Sequence, residues 1–184
     1  MIWQSKVPPR VAFFSWSASL GKILTTSNLR KRRVIVLDWC YMCKRCGELV
    51  DHLLLHCSIA WELWSLVFCL FDIQWVLPHT VLELFEAWQR KFAQHRHIDV
   101  WRLGPHCLIW CIWCERNARS FEGCERSLLE IKSFFLHTLF EWRWSFLIFL
   151  VLHFLFFLTV ALLFPDLCLH STSPMYLVWQ SFYY

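Results

Sequence analysis

The chain has 184 residues, which is enough for one domain, or for one domain with an appendage. Hydrophobic residues make up 58% of it and the mean hydropathy is +0.42, both high for a soluble globule. From residue 143 onward only Arg143 and Asp166 are charged, so residues 1–142 carry the whole net charge of +4. A charge of this size is only a weak indication of an anionic partner.

The ten cysteines predict metal ligands or buried thiols rather than disulfides. Residues 1–10 contain two prolines and no apolar stretch of the secretory kind, so we expect an intracellular chain. Clustered cysteines stay reduced in such compartments and commonly bind metal.

The N-terminal third is predicted to be helical and then extended. Pro9 suits the first position of a helix over residues 10–24. The polar residues 25–28 supply caps for a short helical turn over residues 29–33. The β-branched run at 34–37 favours an extended or strand-like segment that leads to the first clustered cysteine.

Three thiols and one imidazole then occur within 18 positions, as Cys40-x2-Cys43-x8-His52-x4-Cys57. Thiolate and imidazole are ligands that select Zn²⁺, and four protein ligands are typical of a structural site rather than a catalytic one. Cys46 is a rival ligand, because Cys43-x2-Cys46-x5-His52-x4-Cys57 is also chemically acceptable. The longer spacing that uses Cys40 leaves room for a turn and is preferred.

His52 and Cys57 could not face one ion from an unbroken α-helix, where five positions correspond to roughly 140°. We therefore predict that a short helix carrying His52 ends near His56, the weaker imidazole candidate. Ser58 is then expected to cap a helix over residues 59–71.

The remaining pattern predicts further helices. Thr80 is expected to cap a helix that runs to about residue 92, and the region 100–121 reads as helix interrupted near Gly104-Pro105. Ser127 and Glu130 form a predicted capping box for a last helix over residues 128–142. Cys107, Cys111 and Cys114 share one helical stripe, and their apolar neighbours favour buried thiols over a second metal site.

A possible nucleic-acid surface surrounds the predicted metal site. Its residues are Arg30, Lys31, Arg32, Arg33, Lys44 and Arg45, with Trp39 and Tyr41 beside them. The cations could contact phosphates and the aromatic rings could stack on unpaired bases. A solvated turn and packing of the aromatic rings over the zinc site are the alternatives.

The segment at residues 144–164 is 21 residues long and contains no charge. This length and polarity predict a membrane-spanning helix. A C-terminus that is not native, such as the product of a shifted reading frame, is the alternative.

The order of these motifs resembles the zinc-binding domain that follows the polymerase in plant non-LTR (LINE-type) retrotransposon polyproteins. The resemblance rests on Ile2-Trp3, residues 6–16, Thr25-x2-Asn28-Leu29, Cys40-x2-Cys43, Glu48-x2-Asp51 with residues 52–57, Ala60-x3-Trp64, and Glu115-Arg116-Asn117-x-Arg119-x-Phe121. It covers about residues 1–142 and implies zinc ligands at Cys40, Cys43, His52 and Cys57, with Cys46 outside the set.

Together these features predict a mainly α protein: a small zinc-knuckle helical domain, further helices and a C-terminal hydrophobic helix. The predicted boundaries are 1–75 for the zinc-binding domain, 76–142 for a helical extension, and 143–184 for the hydrophobic tail. No catalytic motif is found, so we expect a non-enzymatic fragment that assists RNA or DNA binding and packs on the parent polymerase. The alternatives are a single-pass membrane protein with a zinc-stabilised cytosolic head, or a non-functional retroelement fragment. The expected location is intracellular: the membrane if the tail is used, otherwise the nucleus or cytoplasm.

Overall fold

The computed structural model describes residues 7–91 and 98–144, and within these ranges the protein is helical with no strand. The helices are α1 (Pro9–Ser19), α2 (Thr26–Lys31), α3 (Ser58–Leu70), α4 (Val81–Lys91), α5 (Ile98–Asn117) and α6 (residues 128–144). Two π-helical turns, His52–His56 and Ala118–Glu122, precede α3 and follow α5. The mainly α class is thereby confirmed for the described residues.

The chain divides into two compact units, residues 1–143 and 144–184. Residues on both sides of position 75, where we predicted a domain boundary, contribute to one continuous core in the first unit. Within the described ranges no helix is both long and apolar enough to span a membrane. The predicted C-terminal hydrophobic helix and its membrane-spanning segment, at 144–164, lie outside those ranges except for the first residue.

Helix α1 ends at Ser19 and not at residue 24 as predicted. Gly21 has a left-handed φ of 66°, and its N–H donates to Ala18 O at 2.9 Å while Lys22 N–H donates to Ser17 O at 2.9 Å. This pair of hydrogen bonds is a Schellman motif, which stops a helix where a glycine tolerates positive φ. Gly21 was therefore the signal in the sequence that the helix ends before residue 24.

The predicted caps largely agree with the structure. Asn28 N–H donates to Thr25 Oγ1, Glu83 N–H donates to Thr80 Oγ1, and Ser127 and Glu130 bond reciprocally as a capping box. At α3 the cap position belongs to Cys57 rather than Ser58. The run at 34–37 is irregular and largely exposed, with no strand partner among the described residues.

The predicted interruption at Gly104-Pro105 is wrong, because α5 continues through Pro105. A proline inside a helix removes the N–H that would bond to the carbonyl four residues earlier. That carbonyl belongs to Trp101, and it instead accepts a hydrogen bond of 3.0 Å from the indole Nε1–H of Trp88. The two indoles also stack at 3.8 Å between ring centroids, so α4 compensates for the proline in α5.

Candidate metal centre

The loop over residues 40–47 is closed by its own backbone. Lys44 N–H donates to Cys40 O at 2.8 Å, and Cys40 N–H donates to Cys46 O at 2.6 Å. Lys44 has the left-handed φ of 56° that makes the turn. Gly47 allows a close approach, because an added Cβ would lie 3.1 Å from Asp38 Oδ1. The loop brings the Cys40 and Cys43 side chains to one side.

The π-helical turn brings His52 and Cys57 close to the same side, which an α-helix with this spacing would not do. Cys57 N–H donates to His52 O at 2.6 Å, an i→i+5 hydrogen bond. Such a turn contains one more residue than an α-helical turn, so residues five apart come close to the same side. Leu53, Leu54 and Leu55 in the same turn are fully buried, which anchors it in the core.

These two elements bring together all four predicted ligands. The sulfur atoms of Cys40, Cys43 and Cys57 and one imidazole nitrogen of His52 lie within 4.8 Å of one another. Cys40 Sγ is 4.0 Å from Cys57 Sγ, and Cys43 Sγ is 3.4 Å from His52 Nε2. In a tetrahedral zinc site with Zn–S of about 2.3 Å, neighbouring sulfurs are separated by about 3.8 Å. The donor set and its spacing therefore fit a single tetrahedral ion.

The surroundings of the cluster favour the thiolate form of one cysteine, Cys57. The hydrogen bond from Cys40, helped by His52 and by the N–H groups of Ile59 and Ala60, lowers the pKa of Cys57 to about 4 against the opposing effect of burial. The same bond, together with burial, raises the pKa of Cys40. The bond to Cys57 raises the pKa of His52. A buried thiolate beside an imidazole attracts a cation.

Cys46 lies at the edge of this cluster. Its sulfur is 3.3 Å from His52 Nε2 and 3.7 Å from Nδ1, but its side chain is exposed, whereas Cys40 and Cys57 are fully buried. His56, the weaker imidazole candidate, is not part of the clustered set, and its Nε2 lies 3.0 Å from His79 O.

A buried ion pair that the sequence analysis missed holds the loop against α5. Glu48 is fully buried, and its Oε1 accepts hydrogen bonds from Arg116 Nε at 3.0 Å and Nη2 at 2.8 Å. The same carboxylate accepts from Thr26 N–H at 3.1 Å and from Tyr41 N–H at 3.2 Å. One carboxylate therefore joins α2, the loop and α5. Both charged residues stand in the motifs quoted above, but no local pattern indicates a pair separated by 68 positions.

A second arginine, in the π-helical turn that follows α5, reinforces the attachment. Arg119 Nη1 donates to Met42 O at 3.0 Å within the loop, and Arg119 Nε donates to Glu115 Oε1 at 2.7 Å. Glu115 is buried and also accepts from Arg126 N–H and Nη1. The loop thus depends on side chains that lie far beyond it in the sequence.

The predicted nucleic-acid residues have unequal surroundings. Arg30 forms an ion pair with Asp38, and Lys44 forms one of 2.6 Å with Glu125. The guanidinium of Arg116 lies 5.0 Å from the Tyr41 ring centroid, so one face of this half-buried ring is occupied from inside. These contacts neutralise two of the expected cations and occupy one of the two expected stacking surfaces.

The other members of the set are accessible. Arg32, Arg33 and Arg45 are exposed and form no ion pair within the described part of the chain, while exposed Lys31 bonds to Asn28 Oδ1 at 3.2 Å. Trp39 is 39% exposed and lies edge-on to Tyr41 at 6.1 Å. No hydrogen bond or ion pair among described residues links the 30–33 run to Lys44 or Arg45.

The cysteine stripe of α5 is separate from the cluster. Cys107 and Cys111 are fully buried and Cys114 is half-buried; the Cys107 sulfur lies 3.8 Å from Phe135 O, and burial raises the pKa of Cys107. His106 Nδ1 lies 2.8 Å from Ser15 Oγ, and the ring stacks on Phe85 at 4.6 Å. This arrangement agrees with the expectation of buried thiols.

The fold and the cluster define a small helical domain with a Cys₃His set suited to one metal ion. Residues 1–64 match the family model described as zinc-binding in reverse transcriptase. The matched region contains all four clustered residues, and the family is an accessory zinc-binding domain rather than the catalytic one. No curated protein and no solved structure matches the chain.

Proposed function

We propose that this chain is a zinc-binding, non-catalytic module of a retroelement reverse transcriptase, with Cys40, Cys43, His52 and Cys57 as ligands. The observation that supports it best is the spacing of the donor atoms, which fits one tetrahedral ion, within a region that matches a zinc-binding family. Four protein ligands leave no open position for substrate, which favours a structural role. An origin in a plant LINE-type element, with the polymerase as packing partner, remains part of the proposal.

Zinc content tests this function directly. Purified chain should contain one zinc, and Cys40→Ser should lose it because a buried ligand is removed. The matched control is Cys69→Ser, which changes an exposed thiol of α3 outside the cluster. The proposal would be refuted if zinc were found neither in the unchanged chain nor in Cys69→Ser.

The structure also limits what metal loss should do. The leucines of the π-helical turn are buried in the main core, so that core does not depend on the ion alone. We expect Cys40→Ser to loosen the loop over residues 40–47 while helices α3 to α5 persist. Hydrogen exchange should therefore rise in the loop, with little change in helical circular dichroism.

We further propose weak, sequence-independent binding of single-stranded RNA or DNA. The exposed cations Lys31, Arg32, Arg33 and Arg45 would contact phosphates, and Trp39 would stack on a base. Two of the cations that sequence analysis included, Arg30 and Lys44, are already paired with acids and contribute less.

A salt titration separates the accessible cations from the paired ones. Changing Arg32, Arg33 and Arg45 together to Gln should reduce the slope of log affinity against log salt by about 2, because each phosphate contact on single strands contributes roughly 0.7. The control Lys44→Gln should change the slope much less. Absence of binding at low salt by the zinc-loaded chain would leave only a packing role.

The second candidate is a membrane-attached protein, favoured by the charge-free run at residues 144–164. This candidate is compatible with the zinc module, which would then be attached to a membrane. A non-functional fragment is the remaining alternative, and peptides from residues 146–184 detected in cells would argue against it.

A further inference from the structure

We propose that Cys46 is a reserve ligand of the metal centre, which takes the place of His52 so that Cys40, Cys43, Cys46 and Cys57 hold the ion. This inference rests on the proposed zinc function and goes beyond it, because that function leaves Cys46 outside the ligand set. It assigns two coordination states, Cys₃His and Cys₄, to one site.

The first support is the position of the Cys46 sulfur. It lies 3.3 Å from His52 Nε2, while the sulfur of the assigned ligand Cys43 lies 3.4 Å from the same nitrogen. The two sulfurs are therefore equally close to the atom by which His52 would hold the ion.

The second support is the backbone. The Cys40 N–H donates to Cys46 O at 2.6 Å, so the main chain at residue 46 is held against the first ligand of the cluster. The side chain itself is exposed, which leaves it free to turn by rotation about its Cα–Cβ bond. A short side-chain movement, rather than a refolded loop, separates the two states.

The accessibility of the four ligands indicates why His52 would be the one replaced. Cys40 and Cys57 have no exposed surface, whereas Cys43 and His52 are both half-buried; of these two, His52 has both ring nitrogens within 3.7 Å of the Cys46 sulfur. Cys₄ and Cys₃His are both ligand sets of structural zinc sites. Cys46 would then supply the fourth ligand as its thiolate in place of His52 Nε2, with the thiol proton passing to the imidazole.

The spacing also limits the kind of metal that the Cys₄ state would hold. Cys40-x2-Cys43-x2-Cys46 is a spacing that iron–sulfur proteins use. Three of the four sulfurs of the Cys₄ state, those of Cys40, Cys43 and Cys57, already lie within 4.8 Å of one another, which matches ligands of one ion rather than of a multinuclear cluster. A mononuclear zinc site is the expected product.

The test uses full-length chain purified in detergent and loaded with zinc. The variant His52→Ala should keep about one zinc, and X-ray absorption should show four sulfur ligands. Adding Cys46→Ser to it should weaken zinc binding by more than about 100-fold, since even groups outside the ligand shell can be worth 10–100-fold. The matched control, His52→Ala with Cys69→Ser, should behave like His52→Ala alone.

Several results would overturn the proposal. The first is loss of zinc from His52→Ala while the wild-type chain binds it. The second is a zinc site in His52→Ala that has three sulfurs and an oxygen. The third is zinc that is still bound tightly after Cys46→Ser is added to His52→Ala. If His52→Ala does not fold, His52→Asn carries the same expectations. Failure of the wild-type chain to bind zinc would instead refute the proposed function, so the two failures are distinguishable.

Discussion

The buried pair between Glu48 and Arg116 should be one of the most costly polar contacts to break in this protein. Arg116→Met removes the guanidinium and leaves the carboxylate with only the N–H groups of Thr26 and Tyr41. Both side chains are at most 2% exposed, so the remaining charge is not solvated by water. Breaking a buried pair from one side costs about 3–5 kcal/mol. Domains of this size have about 5–15 kcal/mol of stability in total.

Urea unfolding of chain truncated after residue 143 measures this loss, because that unit contains every residue concerned. The double variant Glu48→Gln with Arg116→Met should be less destabilised than the two single losses together, with a coupling of about 2–3 kcal/mol. Zinc affinity should fall in parallel, since the loop is attached to α5 by this pair. The control Lys44→Met breaks an exposed pair with Glu125 and should shift the midpoint little. A loss under about 1 kcal/mol for Arg116→Met would refute the reasoning.

Two further predictions concern acid and the tail. Burial lowers the pKa of His106 to about 4, below its unfolded value of about 6.5, so the unfolded chain binds more protons between these values. The free energy of unfolding should keep this contribution of His106 above pH 6.5 and lose about 3 kcal/mol as the pH falls toward 4. The variant His106→Phe keeps an aromatic ring against Phe85 and should lack this loss. Unfolding measured over the same pH series for both proteins checks the prediction. The full chain should partition into vesicles or aggregate through residues 144–164, whereas chain truncated after Arg143 should stay in solution with its zinc; a full chain that stays in solution without detergent would contradict this.

Local chemistry made much of this protein predictable from its sequence. Ligand type and spacing indicated the four residues that the structure brings together, and Thr25, Thr80 and Ser127 were recognisable as caps because their hydrogen bonds span three residues. We predicted that a break in the helix brings His52 and Cys57 to the same side. In the structure a π-helical turn brings them together.

The remainder depends on contacts between distant residues, which no local pattern encodes. Pro105 looked like a helix breaker because the donor that compensates for it, Trp88, lies in another helix. Tyr41 looked like a base-stacking residue because the guanidinium of Arg116 that covers it comes from α5. Pairs separated by tens of residues decide which cations and rings remain available to a partner.

X-ray absorption at the zinc edge, on wild-type chain purified with zinc, tests the central claim most directly. We expect one zinc per chain, held by three sulfurs at about 2.3 Å and one imidazole nitrogen at about 2.0–2.1 Å. Zinc bound mainly by oxygen or nitrogen, or a chain that takes up no zinc while its helices are intact, would contradict it.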